Sequence, residues 1–292
     1  MTINQSWFTK TKDDKIKINR EEIYKSLSTQ IKSKIENNSS VAEIINWIKE
    51  KTINEYQKQY RKSPTDGALN NSIGAWNEAI IISFICELAI EINNNINNSS
   101  VVVFKLPNSK FKDEDNYSNF LNLLNLLNDK NNNLNFIKNL FDKIFFSSPD
   151  CIILKIDESN YSPEQKNQLL ELLNKHVYDP TSQEIYKFLK GKLTIGEIKA
   201  AVSLKTSNRP DRRYQALFEA TMIKSIGYSL NQQWNFYMVT NQFTEIDQKI
   251  FSRIISPHGI ILGQDLKLVD EYYTCNKKED LRPMLEDSLD LK

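Results

Sequence analysis

The chain has 292 residues, of which 26% are charged and 40% hydrophobic, an ordinary soluble profile rather than a disordered or membrane one. At 34.0 kDa it is long enough to bury a full core, as one large domain or a core with a helical attachment. A formal net charge of +1 excludes a protein that coats nucleic acid through overall charge, so any DNA affinity must come from locally clustered cations.

The N-terminal stretch MTINQSWFTKTKDDK lacks the apolar segment of a signal peptide, and no uninterrupted apolar run approaches the roughly 20 residues of a bilayer span. A cytoplasmic location and no membrane partner are expected. The first hundred residues read as helical. Arg20 to about Glu36 carries Ile23, Leu27 and Ile31 at helical spacing, and Ser40 to about Gln59 carries Val41, Ile44, Ile45 and Ile48. From about Asn70 to Ile90 a third helix is apolar on most faces, which suggests a buried central helix with Glu78 inside it. The Asn-rich tracts EINNNINNSS and NDKNNNLN read as loops around VVVFKL and the Leu-rich FLNLLNLLN.

FIKNLFDKIFF is expected to be helical. Ser147, Ser148 and Pro149 then interrupt regularity, and Asp150 opens CIILKI, expected as the first core strand. Helices near Pro163 to Lys175 and Ser182 to Leu189 follow. In GEIKAAVSLKT, Ile198, Ala200, Val202 and Leu204 alternate with Glu197, Lys199, Ala201, Ser203 and Lys205, so a strand puts Ser203 and Lys205 on one face. Pro210 suits the first turn of a helix carrying Tyr214, Leu217, Phe218, Met222 and Ile223. WNFYMVT reads as the next strand, followed by a helix over Glu245 to Ile255 and a short strand at GIILG. No internal repeat is visible.

Cys86, Cys151 and Cys275 are far apart and lack CxxC spacing, so neither a disulfide framework nor a zinc site is expected. Only His176 and His258 could serve a histidine general base. The chemistry of the carboxylates is richer. Hydrolysis of a phosphodiester needs a divalent ion, and hard ions such as Mg²⁺ prefer carboxylate oxygens. Asp150 and Glu219 are the best candidates, and Lys205 could orient or deprotonate the water or stabilise developing charge.

In the common D…(D/E)xK form of such a site an acid sits two residues before the lysine, a slot that Ser203 fills here. Glu219, between two and three turns into the helix from Pro210, could return a carboxylate to the strand end. The alternative stands beside it: Glu219 as a solvated helix residue and Asp150 as a loop cap. Arg209, Asp211 and Arg212 combine guanine-directed and cytosine-directed chemistry within four residues, the alternative being a surface ion-pair cluster. Lys58, Arg61 and Lys62 are read as a solvated helix face in preference to a phosphate contact.

Taken together, Pro149-Asp150, Ser203-x-Lys205, Arg209-x-Asp211-Arg212 and Glu219 resemble the type II restriction endonucleases of the PD-(D/E)XK superfamily that recognise sites with a CCGG core. Gly74-x-x-x-Glu78 resembles a G-x-x-x-E feature of that family whose glutamate lies near the metal site. The resemblance implies an α/β fold, a PD-(D/E)XK restriction-endonuclease-like core with a mixed central β-sheet flanked by helices and a helical N-terminal region. The expected organisation is one domain: a helical region 1–69, a catalytic core 70–265 and a C-terminal tail 266–292.

The resemblance further implies a second acid moved to the following helix, with Asp150 and Glu219 holding Mg²⁺, Lys205 at the water, and Glu78 and Ser203 in support. Arg209, Asp211 and Arg212 would read the CCGG bases, with Arg213 adding a cation of open role as a phosphate contact or third reader. Double-stranded DNA, a homodimer or homotetramer, and a cognate DNA methyltransferase as functional partner are implied as well. Another PD-(D/E)XK repair or junction nuclease, a non-catalytic DNA-binding module, and a helical interaction protein remain as alternatives.

Overall fold

The computed structural model describes residues 5–107, 120–128, 134, 149–205 and 210–291. The chain opens with a hairpin that the helical reading of the N-terminus did not anticipate. Strands β1 (Phe8–Lys10) and β2 (Ile16–Ile18) pair antiparallel around a turn in which Asp14 adopts φ 59°. Three residues per strand are too few to show a period of two. Phe8 is nonetheless anchored, edge-on to Tyr56 and Tyr60.

The helix expected over Arg20 to Glu36 is two helices, α1 (Arg20–Ser26) and α2 (Ser28–Glu36), which share Leu27 as cap. Ile23, Leu27 and Ile31 stay buried across the break, so the apolar spacing survives it and conceals it. Helix α3 (Val41–Tyr60) starts at Ser40, whose side chain accepts the Glu43 N–H while the Glu43 carboxylate accepts the Ser40 N–H. It ends at Arg61, which adopts the left-handed conformation. Helix α4 (Asp66–Asn93), capped by Thr65, is the central helix expected near 70–90, longer at both ends. It buries residues on every face because β3, α3, a later helix and the C-terminal segment surround it.

Strand β3 (Ser99–Lys105) follows, so VVVFKL supplies the first strand of the main sheet, not CIILKI. Short helix α5 (Phe120–Leu124) leads to β4 (Cys151–Asp157), α6 (Pro163–Tyr178), α7 (Glu184–Leu189) and β5 (Ile198–Lys205). The helix expected at FIKNLFDKIFF lies outside the described residues. Helix α8 (Pro210–Ser229) carries the chain to β6 (Asn235–Thr240), α9 (Glu245–Phe251) and α10 (Pro257–Leu262). Strand β7 (Glu271–Thr274) and helix α11 (Arg282–Ser288) complete the fold.

The expected strand at GIILG is therefore helix α10. A short apolar run does not distinguish strand from buried helix, and here the flanks decide. Ser256 caps the helix, Pro257 occupies its first turn, and Gly263 ends it at φ 64°. Residues 266–292, set apart above as a tail, supply an edge strand and a helix that packs on α4, where Glu91 pairs with both Lys278 and Arg282.

The five strands lie in the order β3-β4-β5-β6-β7. The β3-β4 and β4-β5 pairs are antiparallel, and β5-β6 and β6-β7 are parallel. This is a mixed α/β sheet with helices packed on it, and its apolar residues form one contiguous core with those of the N-terminal helices. Because β4 and β5 run in opposite directions, the start of β4 and the end of β5 lie side by side. The parallel β5-β6 pair requires a crossover, and α8 provides it, running back along the sheet from the end of β5.

Candidate active site

Asp150 immediately precedes β4, and its backbone N–H donates to the Val202 carbonyl at 3.0 Å. Its carboxylate Oδ2 accepts the Leu204 N–H at 2.6 Å, which ties the acid to the last residues of β5. Lys205 ends that strand, paired in register with Thr240 of β6. Its Nζ stands 3.7 Å from Asp150 Oδ2 and 3.7 Å from Glu219 Oε1, between two carboxylates from different elements.

Glu219 reaches this point because of how α8 crosses the sheet. The helix retreats along β5 as it leaves Lys205, so an acid in its third turn comes level with a residue earlier in the strand. Ala216, Glu219, Ala220 and Ile223 form the inward face, and the two alanines allow close approach. The Ser203 hydroxyl donates to Glu219 Oε2 at 2.9 Å. Glu219 is 1% exposed, which excludes the solvated-helix alternative, while Tyr214 and Phe218 of the same helix are exposed.

Glu78 is half-buried rather than buried, and pairs with Lys105 at the end of β3. Register places Lys105 opposite Cys151, so this second ion pair lies beside Asp150. The crowding is electrostatic as well as geometric. Burial first, then the negative charges of Glu78 and Glu219, push the Asp150 carboxyl up to about 7 against the opposing Lys205 charge and the Leu204 N–H. Leaving buried charges in such proximity is costly, and a strongly raised carboxyl among other charged groups marks a functional site more often than a structural one.

Among the described residues no three His, Cys, Asp or Glu side chains converge tightly enough to form a ligand cage. The donor set is nevertheless suited to a hard divalent ion: two carboxylates and a hydroxyl, all oxygen. One or two carboxylates, with water and substrate phosphate completing the shell, is the coordination that Mg²⁺ favours. A cation here would also relieve the crowding that raises Asp150.

Four of the sequence candidates thus come together, Asp150, Ser203, Lys205 and Glu219, with Glu78 close by. Arg209 lies outside the described residues, and Asp211 and Arg212 fall in the first turn of α8 with side chains outside them. Arg213 is held by Asp247, its Nε donating to Oδ1 at 2.6 Å, and Asp247 in turn caps α9 through Thr244. It joins two helices. Lys105 was missed in the sequence because VVVFKL was not assigned as a strand; its final lysine was the available signal. Also unanticipated is a part-buried amide contact, Asn241 Nδ2 to Asn77 Oδ1 at 2.9 Å, which links the residue after β6 to the neighbour of Glu78.

The family model described as Cfr10I/Bse634I restriction endonuclease matches residues 4–291. A search of curated proteins finds no match. Among solved structures the chain is similar to Bse634I restriction endonuclease, with a TM-score of 0.73 and 20% identity over 99% of each chain. It is likewise similar to the Type IIF restriction endonuclease Bse634I with cognate DNA, with a TM-score of 0.73 and 20% identity over 98% of this chain and 99% of that one. At such identity the likeness is one of fold, and it bears out the expected restriction-endonuclease-like core.

Proposed function

The chain belongs to the Cfr10I/Bse634I restriction endonuclease family, and from that premise we propose that it uses Mg²⁺ to cut double-stranded DNA at a palindromic site with a CCGG core, leaving a 5′-phosphate and a 3′-hydroxyl. Membership makes it a type II restriction endonuclease, a site-specific deoxyribonuclease of a family that uses divalent metal ions. The observation that carries the finer reading is the placement of Lys205 Nζ between Asp150 and Glu219, at 3.7 Å from each.

Asp150 and Glu219 would hold the ion, which when bound neutralises phosphate charge and lowers the pKa of a water molecule. Asp150 is oriented for this by the Leu204 N–H, and Glu219 by the Ser203 hydroxyl. Ser203 therefore positions the helix acid at the strand slot where other such sites carry an acid of their own. Lys205 lies within reach of both carboxylates, where it orients the attacking water or stabilises the developing negative charge. Water adds to phosphorus as the bond to the 3′ oxygen breaks, and that oxygen takes up a proton. Glu78, neutralised by Lys105, supports the same end of the sheet.

Arg209, Asp211 and Arg212 are assigned to the bases, the arginines to guanine and the aspartate to cytosine. Asp211 and Arg212 lie in the first turn of the helix that carries Glu219, so their base contacts and the catalytic acid share one element. A palindrome is read by two-fold-related subunits, which favours a homodimer or a tetramer of dimers. Bse634I has been solved with cognate DNA, which supports duplex DNA as the partner here. A methyltransferase that protects the host's own copies of the site is the matching functional partner, and a cytoplasmic location fits that role.

Incubation with Mg²⁺ and a plasmid of known sequence tests the reading. Discrete fragments with ends at CCGG are expected. Unspecific nicking would point to a repair nuclease, and binding without cleavage to a module.

A further inference from the structure

Where helix α4 passes the catalytic end of the sheet it carries two consecutive polar residues, Asn77 and Glu78. Successive side chains of a helix point about 100° apart, so the two reach in different directions. Glu78 pairs with Lys105 at the end of β3, and Asn77 Oδ1 accepts from Asn241 Nδ2 at 2.9 Å, one residue beyond the end of β6. Strands β3 and β6 lie on either side of the adjacent pair β4-β5, at whose ends Asp150, Ser203 and Lys205 stand. Register brings both anchors level with the site. Lys105 is opposite Cys151, the residue after Asp150, and Thr240, the residue before Asn241, is opposite Lys205. One turn of α4 is thus tied down on both flanks of the catalytic strands.

Packing alone does not account for the amide pair. Asn77 is 1% exposed, in a helix whose other buried residues are mostly aliphatic or aromatic. Its Nδ2 and the Asn241 Oδ1 are both buried and have no hydrogen-bond partner among the described residues, so only one of the two bonds that facing amides can form is made. A half-satisfied buried polar pair is less stable than two apolar side chains of the same shape. What the bond supplies in return is direction. Ile80 and Ile81, one turn further on, hold α4 to the core through apolar burial, which has no preferred direction. A hydrogen bond works only over a narrow range of distance and angle, so it fixes where along the sheet the turn at 77–78 comes to rest.

We propose that Asn77 and Asn241 are positioning residues for cleavage: their hydrogen bond locks the α4 turn that carries Glu78 to the strand ends that carry Lys205. The inference rests on the nuclease reading above and deepens it. The bond thereby sets how far the third carboxylate stands from Asp150, Lys205 and Glu219, which come from three other elements and cannot hold α4 themselves. Lys105 ties the same turn from the opposite flank. A misplacement of about 1 Å at such a centre can slow the chemical step by about a hundredfold.

The test uses Asn77→Leu, Asn241→Leu and the double variant, because leucine keeps the branched shape of asparagine without its polar atoms. Each single variant leaves one amide unmatched and should lower the melting temperature. The double variant, with two apolar side chains facing each other, should return to the parent melting temperature or exceed it. Cleavage of a duplex that the parent cuts is followed under single-turnover conditions in saturating protein and Mg²⁺, well below every melting temperature, with affinity measured in Ca²⁺. All three variants should cut at least about tenfold more slowly and bind within about twofold of the parent, and the double variant should be no slower than the slower single one, because the two residues act as a unit. A double variant that regains the parent rate along with its stability would overturn the proposal, by leaving the pair a fold element only. Losses that multiply in the double variant would overturn it as well. Mn²⁺ binding without DNA, read by electron paramagnetic resonance, should weaken by about tenfold in the double variant as Glu78 shifts away from Asp150. Where the parent cuts DNA, the rates decide. Were the parent to leave a plasmid intact, the nuclease reading would fall and the Mn²⁺ result would decide the positioning role, an affinity equal to the parent's overturning it.

Discussion

Ser203 from the strand and Glu219 from the helix are joined by a hydroxyl-carboxylate bond at 2.9 Å. Asp150 and Lys205 were legible in the sequence because strand alternation and a loop-to-strand junction fix where their side chains point. Glu219 was legible only as a possibility, since nothing in a one-dimensional pattern says that Ala216 and Ala220 will bring α8 so close. Lys105 and the Asn77-Asn241 contact were not legible, because both depend on pairings across more than 25 positions.

The raised Asp150 carboxyl has a consequence for stability. Its ordinary value is 3.8 and its folded value about 7, so the folded protein retains a proton that the unfolded chain releases. Asp150 is therefore neutral toward stability below about pH 4 and increasingly unfavourable as pH rises to about 7, in protein free of divalent ions. Asp150→Asn should raise stability at pH 8, with the advantage vanishing toward pH 4. Urea denaturation at both pH values measures it, and a variant less stable than the parent at pH 8 would contradict the burial. At the reader, Arg212→Ala should lower the ratio of site-specific to random binding by about tenfold or more, a bidentate pair being worth about 1 to 3 kcal/mol. An unchanged ratio would remove Arg212 from the bases.

Among the elements, those with strong periodicity or a marked start were found close to their true limits. Helix α3 was read from Ser40, and the structure shows a complete capping box there. Ser40→Ala should cost about 1 kcal/mol in urea denaturation and leave cleavage unchanged, because the box serves only the end of α3. A loss of activity with unchanged stability would contradict that assignment. Errors gathered where apolar runs were short. GIILG carried its answer in the flanking Ser256-Pro257 and Gly263, which outweigh a β-like core of three aliphatic residues. The break at Leu27 had no glycine or proline to announce it. In α8, Tyr214 and Phe218 face outward, and the buried side chains include Ala216, Glu219, Ala220, Ile223, Lys224 and Ile226.

At the scale of the molecule, the α/β architecture was expected from the family resemblance, and the family model over 4–291 agrees with it. The parts that escaped are the ones long-range pairing creates, namely the outer strands β3 and β7 and the docking of α11 on α4. Sheet direction then brings the site residues together. Antiparallel β4 and β5 set Asp150 beside the end of β5, and the parallel step to β6 demands the crossover helix that returns Glu219. Both acids meet Lys205 as a result of topology, with a third acid, Glu78, contributed by the central helix. The most direct test of that convergence is single-turnover cleavage of a CCGG duplex by Glu219→Gln, with binding measured in parallel. Cleavage slower by at least about a hundredfold with affinity largely retained is the expected result; cleavage at the parent rate would contradict the assembled site.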